Sequence, residues 1–259
     1  MRCGWSCILA LVAGCATSTS FDDSQVLDLT YAFNDETIYW PTAHRFTLTQ
    51  VAWGLNENGR WYASNDYAAS EHGGTHLDAP IHFARGGRST ADIPVTQLVG
   101  PVRVIDIRPQ CDRDRNYRLT VEDIEQNEAV YGSIEAGAIV LVWTGFGRYY
   151  PDARLYLGSD VRGEVEELSF PGFSEESARM LVARRVDLVG LDTASLDHGP
   201  STTFPAHRVF GEANIPGLEN VANLDMLPPV GATLVALPMK IDGGTGGPCR
   251  IIAILPRQR

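Results

Sequence analysis

Residues 72 to 82 run His72-Gly73-Gly74-Thr75-His76-Leu77-Asp78-Ala79-Pro80-Ile81-His82, a segment that carries three of the chain's six histidines and opposes a helix. Glycine is a weak helix former, and a proline removes a backbone N–H and clashes with the preceding turn. The four-residue spacing of His72 and His76 is therefore not a helical zinc motif, and the sequence predicts a turn followed by an extended stretch. Alternate residues of an extended stretch share a face, which points His76 and Asp78 the same way while the glycine turn swings His72 back toward them. Two imidazoles and a carboxylate that converge in this way suit zinc, manganese or iron, and they leave coordination positions open for water and substrate. His82, beyond the proline, is placed beside the ion rather than on it. An imidazole with an ordinary pKa of about 6.5 serves proton transfer there.

Taken whole, His-x-Gly-Thr-His-x-Asp-x-Pro-x-His resembles the signature of the cyclase-like metal hydrolases, the family of bacterial kynurenine formamidase and isatin hydrolase. Other segments are similar to that family as well: Asp28-Leu29-Thr30, Tyr39-Trp40-Pro41, Asp192 to Asp197, Phe204 to Arg208, Gly217 to Asn220 and Pro238 to Gly244. The resemblance spans roughly residues 26 to 256 and implies a metal-dependent hydrolase. Within the family, Glu71 to Phe83 and Thr37 to Thr42 look closer to the isatin hydrolase branch, which implies one manganese at the first cluster, with zinc as the alternative. By the same resemblance, His207 and Glu219 match positions that build a second zinc site with Asp78 in the formamidase branch. Read as residues alone, His207 could equally be satisfied by backbone hydrogen bonds and Glu219 by a neighbouring arginine. The chain departs from the family at Ala32 and His198, where proline is common, and neither is an expected ligand.

A chain of 259 residues, 44% of them hydrophobic, can bury one sizeable core. Its first fourteen residues differ in kind. Met1-Arg2 gives a positive start, Cys7 to Ala13 is apolar, and Leu11-Val12-Ala13-Gly14-Cys15 resembles a bacterial lipoprotein signal. The expected organisation is a signal peptide over 1–14, a flexible tether over 15–25 that is lipidated at Cys15, and a hydrolase domain over 26–259. The expected location is the bacterial cell envelope, periplasmic or outer-membrane and lipid-anchored; a secretory signal cleaved nearby without lipid is the alternative, and either way the mature protein is expected to leave the cytoplasm. Cys111 and Cys249 would be the domain's only cysteines, and a domain of this size does not need them paired. The net charge of −11 disfavours nucleic acid and anionic lipid as partners, so any membrane contact is expected only through the lipid.

Val- and Ile-rich runs at 102–107, 138–143, 188–191, 233–237 and 250–255, each bounded by Gly or Pro, read as buried strands. Thr120 and Ser174 read as helix caps. Strands alternating with helices indicate an α/β chain, and the resemblance narrows this to a mixed β/β/α single domain of the cyclase or kynurenine formamidase type. The run Gly243 to Pro248 lacks the lysine of a phosphate loop and leads into a strand, so it is read as a tight turn bracing the cleft. Ser195 lies in no Gly-x-Ser-x-Gly elbow.

The expected chemistry is attack by metal-bound hydroxide on a small non-peptide amide carbonyl, with His82 returning a proton to the leaving nitrogen. The expected substrate is a small aromatic amide, either cyclic like isatin or an aryl formamide. Lactone hydrolysis at the same site and a periplasmic binding lipoprotein without turnover are the competing readings. Tyr39, Trp40, Phe46, Trp53, Trp61 and Tyr62 are candidates to stack a flat substrate ring, to pack in the core, or to pack between copies of a homodimer or larger homo-oligomer.

Overall fold

The computed structural model describes residues 25 to 256. The expected signal peptide, Cys15 and all of the tether but Gln25 lie outside the described residues. The described chain forms twelve strands. They are β1 (Val26–Asp28), β2 (Thr47–Leu55), β3 (Trp61–Ala68), β4 (His76–Asp78), β5 (Val99–Asp106), β6 (Arg118–Leu119), β7 (Ile139–Trp143), β8 (Gly172–Phe173), β9 (Leu188–Leu191), β10 (Gly217–Glu219), β11 (Val230–Pro238) and β12 (Gly246–Ile254). Five α-helices accompany them: α1 (Arg108–Cys111), α2 (Val121–Tyr131), α3 (Ala153–Leu157), α4 (Glu175–Arg184) and α5 (Pro205–Glu212).

Seven strands close on themselves in the order β12-β11-β5-β7-β9-β10-β4 and back to β12, with β1 added outside β12. Half of this barrel, β5-β7-β9-β10, is parallel, and its crossovers contain the helices. The other half is antiparallel. Parallel strands need long crossovers, whose helices cover one face and make the strands apolar on both sides. In β7, Ile139 and Leu141 enter the core inside the barrel, while Val140 and Val142 join the core beneath the helices. The antiparallel strands lack that cover on their outer face, where Leu237 and Arg250 are exposed.

All five apolar runs are strands, and both caps are where the sequence places them. Thr120 and Asp123 form a reciprocal capping box on α2, as Ser174 and Ser177 do on α4. The segment Gly243 to Pro248 differs from expectation. Only its start is a turn, because Gly246, Gly247 and Pro248 already belong to β12 and pair with Asp78, Leu77 and His76. Cys111 and Cys249 are both buried and free. Strands β2 and β3 stand apart as a two-stranded ribbon. Its register puts Leu48 opposite Tyr67, Trp53 opposite Ala63 and Leu55 opposite Trp61, so one face is apolar and open to solvent.

Candidate metal centre

Strand β4 is three residues long and lies between β10 and β12, antiparallel to both. Leu77 points into the barrel core, so His76 and Asp78 point to the opposite face, as alternation requires. The register sets Glu219 directly across from His76, and side chains directly opposite each other in an antiparallel pair share a face. Glu219 thereby joins the cluster through sheet pairing. The preceding turn depends on Gly74, which sits at φ 56 with Phe33 and Thr37 closing over the space a Cβ would fill. Beyond the turn, His72 folds back until its Nδ1 is 2.7 Å from Asp78 Oδ1.

His76 Nε2 lies 3.2 Å from the same Asp78 oxygen and 3.4 Å from Glu219 Oε2. The other nitrogen, Nδ1, donates to the Gly74 carbonyl at 2.9 Å. That bond fixes the tautomer and leaves Nε2 with a lone pair, buried, without a hydrogen-bond partner, and facing carboxylate oxygens. A buried acceptor aimed at acceptors is unfavourable unless a cation lies between them. The donor set suits a divalent ion on this ground. His72 and His76 converge on Asp78 Oδ1, while Asp78 Oδ2 faces His207 Nε2 at 3.2 Å and His82 Nε2 at 4.0 Å.

The structure brings together all six residues singled out from the sequence, grouped around Asp78 as the common member. His72, Asp78 and His82 form one set of close ligand atoms, and His76, Asp78 and Glu219 form another. His207 sits on α5, with Nε2 3.1 Å from Glu219 Oε1 and Nδ1 2.7 Å from Asp197 Oδ2. Its partners are carboxylates, and Glu219 pairs with imidazoles and the Leu196 amide, with no arginine. Asp197 also accepts from the backbone N–H groups of Ala206 and His207, so one carboxylate satisfies the start of α5 and orients its histidine.

Charge is concentrated in this floor. Burial alone would lower the pKa values of His76 and His207, yet Asp78 and Glu219, with Asp197 also acting on His207, raise both. Burial pushes Asp78 up, but the surrounding imidazoles pull it well below the usual carboxylate range. Glu219 is held above its ordinary value by burial and by the Asp78 charge. His82, 32% exposed at its side chain, is lowered by partial burial and by the other imidazoles. Its ring stacks on His72 at 3.8 Å. Above the floor lies a cavity of about 280 Å³, walled by Tyr39, Trp40, Phe83 and Phe204.

A family model described as a putative cyclase matches residues 27–198. The chain belongs to the Cyclase family. Isatin hydrolase from Roseibium aggregatum is 33% identical over 211 residues, 78% of each chain. Kynurenine formamidase from Salinibacter ruber is 30% identical over 227 residues, 88% of this chain and 96% of that one. An isatin hydrolase solved with the product analogue thioisatinate superposes with a TM-score of 0.81 at 30% identity, over 90% of this chain and 93% of that one. These relatives are hydrolases, and this Cyclase family chain is a hydrolase.

Of the aromatic candidates, only Tyr39 and Trp40 line the cavity. Phe46 packs against Phe33 and Tyr67, and Trp53, Trp61 and Tyr62 lie exposed on the ribbon. Phe83 and Phe204, the latter edge-on to Trp40 at 6.2 Å, complete the aromatic wall in their place. His44 is exposed and His198 half-buried, and neither lines this cavity. Sequence reasoning assigned no role to Asp197, Glu71 or Thr245. Asp197 is ten residues from His207 and Thr245 is 173 residues from His72, so no local spacing marks either pair.

Proposed function

We propose that the chain is a divalent-metal hydrolase that opens the C–N bond of a small, flat cyclic amide of the isatin type, with aryl formamides as the related substrate class. The observation that carries this reading is the orphaned Nε2 of His76 at the floor of an aromatic-walled cleft, where His72 Nδ1 reaches the same Asp78 oxygen. His72, His76 and Asp78 would hold the ion, for which manganese is proposed ahead of zinc because the chain is similar to isatin hydrolases. When bound, a divalent ion supplies Lewis acidity toward a carbonyl oxygen and a lower pKa for water.

The protein's own groups do the rest. Trp40, Phe83 and Phe204 hold a flat ring over the polar floor. A cavity of this size falls near the small end of the usual ligand-pocket range of about 300–1,000 Å³, which selects a compact substrate. His82 faces the cavity with a lowered pKa, so its neutral ring can take a proton and return it to the departing nitrogen. Asp197 holds His207 in place, and Nε2 of that ring stays directed at Asp78 and Glu219.

His207 Nε2 lies 3.2 Å from Asp78 Oδ2 and 3.1 Å from Glu219 Oε1, which supports a second reading with an additional ion at that corner. Elemental analysis of purified protein, read as ions per chain, separates one site from two. The decisive test of function is turnover of the Mn²⁺-loaded protein with isatin, N-formylkynurenine and a simple aryl lactone. Ring opening of isatin is the expected result. Turnover of the lactone alone would move the activity to ester bonds, and binding without turnover of any would make this a binding protein.

The ribbon's open apolar face supports a contact between copies in a homo-oligomer, and the leader supports lipid attachment at Cys15 in the bacterial envelope. Mass spectrometry of the native amino terminus tests the second point. An unmodified Met1, or cleavage elsewhere without lipid, would remove the anchor.

A further inference from the structure

Thr245 sits immediately before β12, where the pairing of Gly246 with Asp78 places it beside the site. The Ala79 amide donates to the Thr245 carbonyl at 2.9 Å, so the ladder that sets Asp78 also sets this hydroxyl. Glu71 Oε2 receives both the Thr245 hydroxyl, at 2.5 Å, and its backbone N–H, at 3.0 Å. A carboxylate only accepts, and a threonine hydroxyl has one proton to give. With that proton committed to Glu71, Thr245 Oγ1 presents lone pairs to His72 Nε2, 2.9 Å away, and Nε2 must be the N–H of the ring. The opposite nitrogen, Nδ1, lies 2.7 Å from Asp78 Oδ1 and is the one left to face an ion, or to share a proton with that carboxylate when no ion is bound.

The ring has little room to turn. His82 stacks on it at 3.8 Å and 19°. On the strand side, a Cβ at Gly246 would come within 2.5 Å of His72 Cε1, so only glycine admits the imidazole there. His76 has the reverse tautomer, with Nδ1–H tied to Gly74 and Nε2 free. The two rings thus offer different nitrogens to one carboxylate oxygen, each fixed by a partner on its far side.

We propose that Glu71 and Thr245 are positioning residues that select the Nε2–H tautomer of His72 and thereby hold Nδ1 as the atom offered to the ion. The inference deepens the metal-hydrolase reading and rests on it for the ion, although the proton fixed on Nε2 belongs to the metal-free chain as well. Outer partners of this kind typically contribute about 10–100-fold in metal affinity.

The test uses full-length protein stripped of metal. Thr245→Val keeps the shape and removes the hydroxyl, Thr245→Ser restores it, and Glu71→Ala removes the acceptor. Side-chain ¹⁵N spectra assigned with a His72→Gln control should show Nε2 protonated in wild type and Thr245→Ser, and a shift toward the Nδ1–H form in Thr245→Val and Glu71→Ala. Calorimetric titration with Mn²⁺ alone should show binding weakened about 10–100-fold in those same two variants and recovered in Thr245→Ser. An unchanged tautomer and unchanged Mn²⁺ affinity in both disrupting variants would overturn the proposal. If Thr245→Val fails to fold, Glu71→Ala carries the same two readouts. Failure of wild type to bind Mn²⁺ or Zn²⁺ would instead remove the metal reading, while the ¹⁵N spectra would still decide the tautomer.

Discussion

His76, Asp78, His207 and Glu219 on the cleft floor are between 2% and 6% exposed, whereas Trp53, Leu55 and Trp61 near the ribbon tip are between 62% and 73% exposed. Polar groups are buried in one region and large apolar groups are solvated in the other, each against its usual preference. Burying ionisable groups is costly unless they are paired, and the cleft meets that cost with a mutual network of carboxylates and imidazoles. The ribbon has no equivalent compensation, since an isolated two-stranded hairpin is marginal by itself in water. The contrast teaches that the cleft is completed from within by something small and charged. The ribbon leaves an apolar face that the proposed contact between copies would cover.

The contrast breaks most visibly if the cleft does not need its ion. His76→Ala should abolish bound metal and turnover together, and full metal content by elemental analysis would defeat the assignment. His82→Ala should keep the metal while kcat falls by about 10²–10⁴-fold, the usual span for acid–base assistance. Parallel loss of metal would make His82 a ligand. Asp197→Asn replaces the carboxylate beside His207, and a loss of about 1–3 kcal/mol in urea unfolding is expected for weakening a buried charged hydrogen bond.

A pH series sharpens the same comparison. The pKa of His76 is raised, so its protonated form stabilises the metal-free chain fully below about 6.5, and that contribution is lost as pH climbs through the raised value. Metal binding needs the ring unprotonated. The Tm gap between loaded and metal-free protein should therefore widen as pH rises above about 6.5 and through the raised value, by roughly 2–4 °C per kcal/mol of linkage. A gap that narrows would contradict the assignment of His76 as a ligand. The smallest effect on chemistry is expected at the ribbon, where Trp53→Ser combined with Trp61→Ser should lower the oligomeric state in sedimentation velocity and leave metal content unchanged. A monomeric wild type would remove that role.

Much of this was legible in the chain. The glycines and the proline excluded a helix over 72–82, and period-two alternation put His76 and Asp78 on one face, because both arguments are local. Apolar runs and capping residues located the strands and helices for the same reason. His207 and Glu219 were reached by resemblance, since no spacing ties them to residue 78. The closure of the barrel was not legible, because Gly246 and Gly247 carry no side chain whose pattern could distinguish a strand from a turn. The aromatic wall was legible only in Tyr39 and Trp40, because aromatic residues before the motif look alike until packing sorts them.

The sequence by itself determined the ligand chemistry, the extended backbone that presents it and the strand content, all of which follow from backbone sterics and short-range periodicity. Only the tertiary structure decided which residues meet. Pairing of β4 with β10 set Glu219 across from His76, and pairing with β12 carried Thr245 to His72. The return of α5 brought His207 to both carboxylates, with Asp197 behind it. The physical reason is that register and barrel closure are collective properties of strands far apart in the chain, and the tautomer of each histidine follows from whichever partner that closure delivers.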